Sequence, residues 1–324
     1  MITTVTLNAS IDKAYYMEGK IENGTVMRVA RVHNTAGGKG LNVARIIKLC
    51  GEKVLATGLV GGFNGQYLEA LLNQDGISHD FLHVDGETRS CINILDSGYG
   101  STEYLEPGFC VSQETEDVFL ETLSSVVSDS RVVTISGSVP GGMAKDVYSR
   151  MVLKLKSMGK QVILDTSGEL LKQGIGACPD MIKPNKEELE MLFGREIHSV
   201  RDVAELAWKL YEKGIGQVVV SLGKEGALLA CEEGIFTARP PRLDPVNTVG
   251  CGDSMVGAFA VAMERKMGYK EALKFAVAVA SAGAMSPDTG DFDMDVCQTL
   301  LKQVTVDEPE WNKADRNCKG EQYG

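Results

Sequence analysis

From residue 113 onward, strand-length apolar runs alternate with helix-length amphipathic segments, and this constrains the fold more than any other feature. Helix 113–127 leads to strand 131–136, helix 144–158 to strand 161–165, and helices 185–193 and 201–213 to strand 217–221. Strands joined through helices at this spacing call for right-handed crossovers and a mainly parallel sheet. A hairpin (227–230 with 234–237) and helices 253–266, 270–285 and 293–303 complete this part. Before residue 113 the pattern is less regular. Residues 2–7 form a strand that runs into Asn8-Ala9-Ser10-Ile11-Asp12, placing Asp12 near a strand's C-terminal edge, where α/β proteins bind ligands. A glycine turn then opens a helix near residue 40, followed by strand 53–60, helix 64–74 and strand 79–84.

Two strand-rich pieces interrupt this order: 13–34, with short runs at 14–17 and 26–32, and 88–107, with a hairpin of 89–95 and 102–105. They are expected to pair into a small separate sheet, whose polar edge needs a cover or a partner and would serve as a lid or a dimer contact. The expected organisation is an α/β core of residues 1–12, 35–87 and 108–306, a β-sheet lid of 13–34 and 88–107, and a loosely ordered tail of 307–324.

Composition narrows the partners. The 324-residue chain carries a net charge of −11, which argues against nucleic acid or an anionic membrane surface. An acidic chain that binds anions must gather its basic residues locally. Eight cysteines without a CxxC pair or regular spacing point to reduced thiols. The longest apolar runs, near 254–263 and 275–285, are too short to span a bilayer. With no signal-peptide pattern at the N-terminus, a cytoplasmic protein is expected.

The chemistry concentrates in 247–259, Asn-Thr-Val-Gly-Cys-Gly-Asp-Ser-Met-Val-Gly-Ala-Phe. Gly250 and Gly252 bracket Cys251 in a turn leading into an apolar helix, whose first-turn N–H groups and dipole suit an anion. Asp253 would repel a phosphate, unless it takes a proton from a hydroxyl beside it; the alternative is an Asp that caps the helix. Gly37, Gly38, Lys39 and Asn42 form a second glycine turn, either a ligand approach or a tight connection. Arg89 can hold phosphate bidentately or be an ordinary surface residue. In Lys183-Pro184-Asn185-Lys186-Glu187-Glu188, Glu188 can hold the water shell of a magnesium ion or close a capping box with Asn185. Ser221, Gly223 and Gly226 mark a strand end that lines a phosphate or turns a hairpin. The usual nucleotide fingerprints, GxxxxGK[ST] and GxGxxG behind a strand, are absent.

Taken in order, Ala36-Gly37-Gly38-Lys39-Gly40-Leu41-Asn42, Lys183-Pro184-Asn185-x-x-Glu188, Ser221-Leu222-Gly223-x-x-Gly226 and Val249-Gly250-x-Gly252-Asp253 closely resemble the ribokinase-like (PfkB) sugar kinase family, over about residues 2–304. Thr6 to Asp12, Gly86-Glu87-Thr88-Arg89 and Ser136-Gly137-Ser138-Val139-Pro140 resemble its hexose-phosphate branch, which comprises 1-phosphofructokinase and tagatose-6-phosphate kinase. The stretch around Asp253 leans toward the former. The resemblance implies a three-layer α/β/α fold with a β-sheet lid, ATP as donor, Mg2+ as cofactor, and often a homodimer formed through the lid. It makes Asp253 the catalytic base and Gly250, Cys251 and Gly252 the anion hole. Asp12, Gly37, Gly38, Lys39 and Asn42 would bind sugar, and Arg89, Lys39 and Arg28 its phosphate. Lys183, Asn185, Ser221, Gly223 and Gly226 would hold the nucleotide, and Glu188 the metal. Asn247 departs from ribokinase, where an acidic residue helps bind a monovalent cation, and so argues against a potassium requirement.

The expected reaction is ATP-dependent conversion of a ketohexose phosphate to its bisphosphate, with fructose 1-phosphate favoured and tagatose 6-phosphate next. The alternatives are a kinase of an unphosphorylated sugar or nucleoside, and a non-catalytic sugar-phosphate sensor.

Overall fold

The structure, a computed structural model, describes residues 1–309. Fourteen strands and ten α-helices follow one another among these residues. The strands are β1 (Ile2–Thr6), β2 (Ser10–Tyr16), β3 (Arg31–Gly37), β4 (Val54–Val60), β5 (Ser78–His83), β6 (Arg89–Asp96), β7 (Gly100–Leu105), β8 (Val132–Ser136), β9 (Gln161–Asp165), β10 (Met181–Ile182), β11 (Gln217–Ser221), β12 (Ala227–Cys231), β13 (Gly234–Arg239) and β14 (Thr305–Asp307). The helices are α1 (Lys39–Leu49), α2 (Gly62–Gln74), α3 (Gln113–Val126), α4 (Val147–Ser157), α5 (Gly168–Ile175), α6 (Lys186–Phe193), α7 (Val200–Glu212), α8 (Cys251–Glu264), α9 (Tyr269–Met285) and α10 (Met294–Gln303).

Ten strands form one sheet in the order β14-β13-β12-β11-β10-β9-β8-β1-β4-β5. From β11 to β5 every neighbour is parallel, and β12, β13 and β14 add an antiparallel edge. Val5, Val133, Val162 and Val218 face the core shared with α3–α7, whereas Ile2, Val132, Ile163 and Val219 face α1, α2, α8, α9 and α10. The result is three layers, helix–sheet–helix, as the alternation of elements requires. The remaining strands form a separate sheet, β3-β2-β6-β7. No helix of the described residues is long and apolar enough to cross a membrane.

Amphipathic helices cover the surface. In α7 Val203, Ala204, Leu206, Ala207 and Leu210 are buried, behind a capping box of Ser199 and Asp202. By contrast α8 and α9 are nearly all small and apolar, and are buried along most of their length. Gly257 of α8 packs against α1 so closely that a Cβ would lie 2.7 Å from Ile46. Gly40 of α1 does the same against β1: a Cβ there would overlap the Thr6 hydroxyl and come within 2.9 Å of the Val5 carbonyl. These close approaches hold the start of α1 against β1 and the middle of α8 against α1.

Several local expectations needed correcting. The first strand pair lies at Ser10–Tyr16 and Arg31–Gly37, running from Ser10↔Gly37 to Tyr16↔Arg31, and not at 14–17 and 26–32. The alternating residues at 26–32 are mostly loop, with Val26 98 % exposed. Asp12 therefore stands inside β2 of the small sheet, not at the edge of the main one, and residues 10–12 and 35–37 are ends of small-sheet strands. α5, eight residues long, was not foreseen; β10, the buried strand ahead of Lys183, is only two residues long. The tail was expected to loosen from residue 307, yet Thr305–Asp307 pairs with β13; 310–324 lie outside the described residues.

Gly40→Ala is expected to destabilise the fold by about 1–3 kcal/mol through overpacking of backbone against backbone. Urea unfolding measures it, and an unchanged midpoint would contradict the packing described.

Candidate active site

The turn ahead of α8 has Gly250 at its N-cap, with φ 81°. A Cβ there would be strained and would press on Thr289 Cγ2 at 2.6 Å. α8 thus begins on a left-handed residue, and Asp253 falls in its first turn instead of at its cap. The N–H groups of this turn have no intrahelical acceptors and lie at the positive end of the dipole.

Asp253 is 6 % exposed. Its Oδ2 accepts from Asn42 Nδ2 at 2.7 Å. Asn42 is oriented in turn by Arg45, whose Nη2 donates to Asn42 Oδ1 at 2.6 Å while Nη1 donates to the Ala36 carbonyl at 2.5 Å. Burial, reinforced by the charge of Asp165, raises the Asp253 pKa to about 6 against the pull of Lys39, the Asn42 hydrogen bond and Lys183. The thiol of Cys251 is also pushed upward, by burial and then by Asp253. It stays a neutral wall.

Asp165, at the end of β9 and 2 % exposed, lies between two lysines. Lys183 Nζ is 3.3 Å from Oδ1 and Lys39 Nζ 3.5 Å from Oδ2. The Lys39 pKa is raised, chiefly by Asp165. Lys183 is 6 % exposed, and its Nζ would lie 3.2 Å from a Cβ at Gly252. Gly252 thus makes room for a buried ammonium beside the first turn of α8.

Two cavities flank this cluster. The smaller, about 250 Å3, is lined by Thr6, Asn8, Gly38, Lys39, Arg89, Leu105, Ser136–Ser138, Thr166 and Ser167. Arg89 donates from Nε to the Asn8 carbonyl and from Nη1 to the Glu106 carbonyl, both at 3.2 Å. The larger, about 830 Å3, is lined by Ser221, Gly223, Gly226, Cys251 and Gly252, by charged residues including Lys224, Arg239 and Arg242, and by apolar residues including Leu243, Met255, Val277, Ala280 and Ala284. Asp253 lines neither, but is tied to both: its partner Asn42 shares α1 with Lys39 of the first cavity, and Cys251 and Gly252, which precede it, belong to the second.

Most residues singled out from the sequence converge here. Asn185 bridges in parallel to Ser221, whose N–H donates to the Pro184 carbonyl at 3.1 Å, which brings the 183–185 loop to the larger cavity. Asn185 and Glu188 form the capping box, with both reciprocal bonds made. Ser221, Gly223 and Gly226 are both hairpin turn and cavity wall. Asp12 accepts from Ser10 Oγ at 2.6 Å and lies over Gly37, where a Cβ would overlap its carboxylate. Arg28 stands apart, exposed on the loop between β2 and β3 and lining neither cavity. Asn247 donates to the Pro287 carbonyl and Thr289 Oγ1 and accepts from the Val249 N–H. Sequence reasoning missed Asp165, Asn8 and Arg45 as site residues. The edge rule that drew attention to Asp12 applies better to Asp165, the last residue of a central parallel strand.

Magnesium keeps several waters and needs one or two carboxylates besides phosphate oxygens. Glu188, which uses Oε2 in the capping box and leaves Oε1, fits that demand, and Asp165, whose two oxygens face Lys183 and Lys39 at 3.3 and 3.5 Å, is a second carboxylate close by. Among the described residues no group of three or more His, Cys, Asp or Glu forms a denser metal site.

Comparison with known proteins gives a consistent result. Residues 5–295 match the pfkB family carbohydrate kinases. Phosphofructokinase-2 from Escherichia coli, solved with potassium, superposes with a TM-score of 0.87 at 29% identity, over 93% of this chain and 98% of that one. A Staphylococcus aureus protein assigned as a phosphofructokinase gives 0.83 at 31% identity, over 95% and 98%. A Thermotoga maritima protein assigned as a 1-phosphofructokinase gives 0.86 at 26%, over 95% and 99%.

The raised pKa of Asp253 has a testable sign. Between about pH 4 and 6 the native state holds a proton that the unfolded state releases, so this residue's contribution to stability falls as pH rises through that window. Asp253→Asn should therefore be more stable than wild type at pH 8, by up to roughly 3 kcal/mol, with the difference vanishing near pH 4. Thermal melts at both pH values check it, and a pH-independent difference would count against the assignment.

Proposed function

The chain belongs to the pfkB family of carbohydrate kinases, and from that premise we propose that it transfers the γ-phosphoryl group of ATP to a ketohexose phosphate, yielding the bisphosphate. Fructose 1-phosphate is the favoured acceptor, on the sequence around Asp253, and tagatose 6-phosphate the next. The observation that carries this reading is the buried Asp253 carboxylate in the first turn of α8, tied through Asn42 and α1 to a small cavity holding Arg89 and Lys39 and preceded by Cys251 and Gly252 of a larger, mainly apolar one.

In this reading ATP occupies the larger cavity, with its base against Val277, Ala280 and Ala284. Ser221, Gly223 and Gly226 border its phosphates, and Lys183 and Asn185 approach them from the adjoining loop. The sugar occupies the smaller cavity and reaches toward Asp12, Gly37, Gly38 and Asn42, with its own phosphate on Arg89 and Lys39. Asp253 accepts the proton of the attacking hydroxyl, and Asn42 keeps its carboxylate aimed. The N–H groups of Gly250, Cys251 and Gly252, with the helix dipole, stabilise charge on the transferring group without moving. Mg2+, held by Glu188 and Asp165, would supply charge neutralisation on the nucleotide phosphates. The small sheet, bearing Arg89 and Asp12, closes over the sugar and keeps out water.

The small sheet also suggests how subunits assemble. By its register Tyr15, Val32, Ile92, Ile94 and Tyr104 share one face, with Val32 and Tyr104 more than half exposed. A second copy packing there gives a homodimer, and Arg28, on the adjoining loop, lies near that contact. All seven cysteines among the described residues are free, which agrees with a cytoplasmic setting.

A coupled assay with fructose 1-phosphate, tagatose 6-phosphate, fructose 6-phosphate and ribose tests the substrate. ADP release is expected with a phosphorylated ketohexose at least ~10-fold above ribose in kcat/KM, each tenfold being about 1.4 kcal/mol of discrimination; ribose as the best acceptor would refute the reading. Asp253→Asn should lower kcat by ~10²–10³ or more, and near-wild-type turnover would remove the base from the mechanism. Ile94→Lys with Tyr104→Lys should shift sedimentation from dimer to monomer; an unchanged profile would place the interface elsewhere.

A further inference from the structure

One polar side chain in the smaller cavity has no part in the roles given above. Asn8 follows the end of β1 and is 6 % exposed. Its Nδ2 donates to Ser138 Oγ at 3.2 Å and to the Pro107 carbonyl at 3.5 Å. The Pro107 carbonyl can only accept, which fixes which end of the amide is nitrogen. The backbone carbonyl of Asn8 accepts Arg89 Nε at 3.2 Å. Its Oδ1 is buried without a donor, lying over Gly108, where φ is +88° and a Cβ would come within 2.6 Å. An amide here leaves one buried acceptor unsatisfied, which is unfavourable unless the other end has a use.

That use is visible in the chemistry of Ser138. A hydroxyl both donates and accepts. Because Ser138 Oγ already accepts from Asn8, its own proton is left for another acceptor, and Ser138 lines the same cavity as Arg89 and Lys39. A phosphate oxygen takes only donors. We propose that Asn8 is a positioning residue for the anion-binding end of this cavity: its side chain commits the Ser138 hydroxyl to donating, and its backbone carbonyl holds the Arg89 guanidinium beside it. The inference rests on the reading that the sugar carries a phosphate, and it concerns a residue that touches no reacting atom.

Asn8→Asp isolates the effect. It keeps the size of the side chain and the backbone carbonyl that holds Arg89. A carboxylate accepts the Ser138 proton instead of donating to Ser138, and adds a negative charge near the phosphate. KM for the phosphorylated sugar should rise ~30–100-fold, equivalent to losing about one charge-assisted hydrogen bond. KM for ATP should stay put and kcat should fall by less than ~5-fold; a general loosening of the fold would move all three. The second measurement is a double-mutant cycle of Asn8→Ala and Ser138→Ala, read as dissociation constants for fructose 1-phosphate, tagatose 6-phosphate and fructose 6-phosphate. If Asn8 works through Ser138, the double variant binds within ~2-fold of the weaker single one, the signature of coupled neighbours. Multiplying effects, or an Asn8→Asp KM within ~3-fold of wild type, would overturn the proposal while leaving the kinase reading intact. A wild-type protein that binds none of the three sugar phosphates overturns both. Should Asn8→Asp not fold, the alanine cycle decides alone.

Discussion

Everything in this site depends on keeping one carboxylate buried. Asp253 sits in the first turn of a helix whose remaining turns are almost wholly apolar, and two glycines let that helix approach its surroundings closely. Gly257 lets α8 lie against α1, and Gly250 lets the chain enter α8 from a left-handed turn. The same contact brings Asn42 onto the carboxylate. A buried acid with a single amide donor is costly to ionise, and the rise of its pKa to about 6 expresses that cost. The protein accepts lower stability at this point, and holds a carboxylate whose proton affinity lies near neutral pH, as the proposed role of base requires.

Charge is handled locally as well. The chain is acidic overall, at −11, yet Lys39, Lys183 and Arg89 meet around the cavities. Asp165 is the organiser: between Lys39 and Lys183 it neutralises part of their mutual repulsion and contributes to the proton affinity of Asp253. Two like-charged lysines can thus be brought close together without an anionic ligand between them. Arg89 is held differently, by backbone carbonyls only, so its charge remains available to a ligand.

Much of this could be read in the chain beforehand. Helix–strand alternation after residue 113 carries its own topology, because parallel neighbours need crossovers, and the parallel sheet follows. The glycine turns before α1 and α8 were legible, since few other uses explain glycines at those spacings. The small sheet was anticipated but its strands were misplaced: in 26–32 local alternation competes with the absence of a partner, and Val26 ends up in solvent. Asp12 was misjudged because β2 follows β1 after three residues and belongs to another sheet. Asp165 and Asn8 were not legible as site residues, since their significance comes from the side chains that tertiary packing places against them, Lys39 and Lys183 for the one, Ser138 for the other. At Asn185 and Glu188 the capping box is formed, and because it occupies one Glu188 oxygen and leaves the other, it does not compete with the metal role proposed for Glu188.

The central claim is that Asp253 meets the acceptor hydroxyl while the first turn of α8 meets the transferring phosphoryl group. A crystal structure with a non-hydrolysable ATP analogue and the preferred sugar phosphate tests it directly. The account predicts the acceptor hydroxyl within about 3 Å of an Asp253 carboxylate oxygen, with the terminal phosphate facing the amides of residues 250–252. A hydroxyl turned toward another group, or a terminal phosphate bound away from that turn, would contradict it.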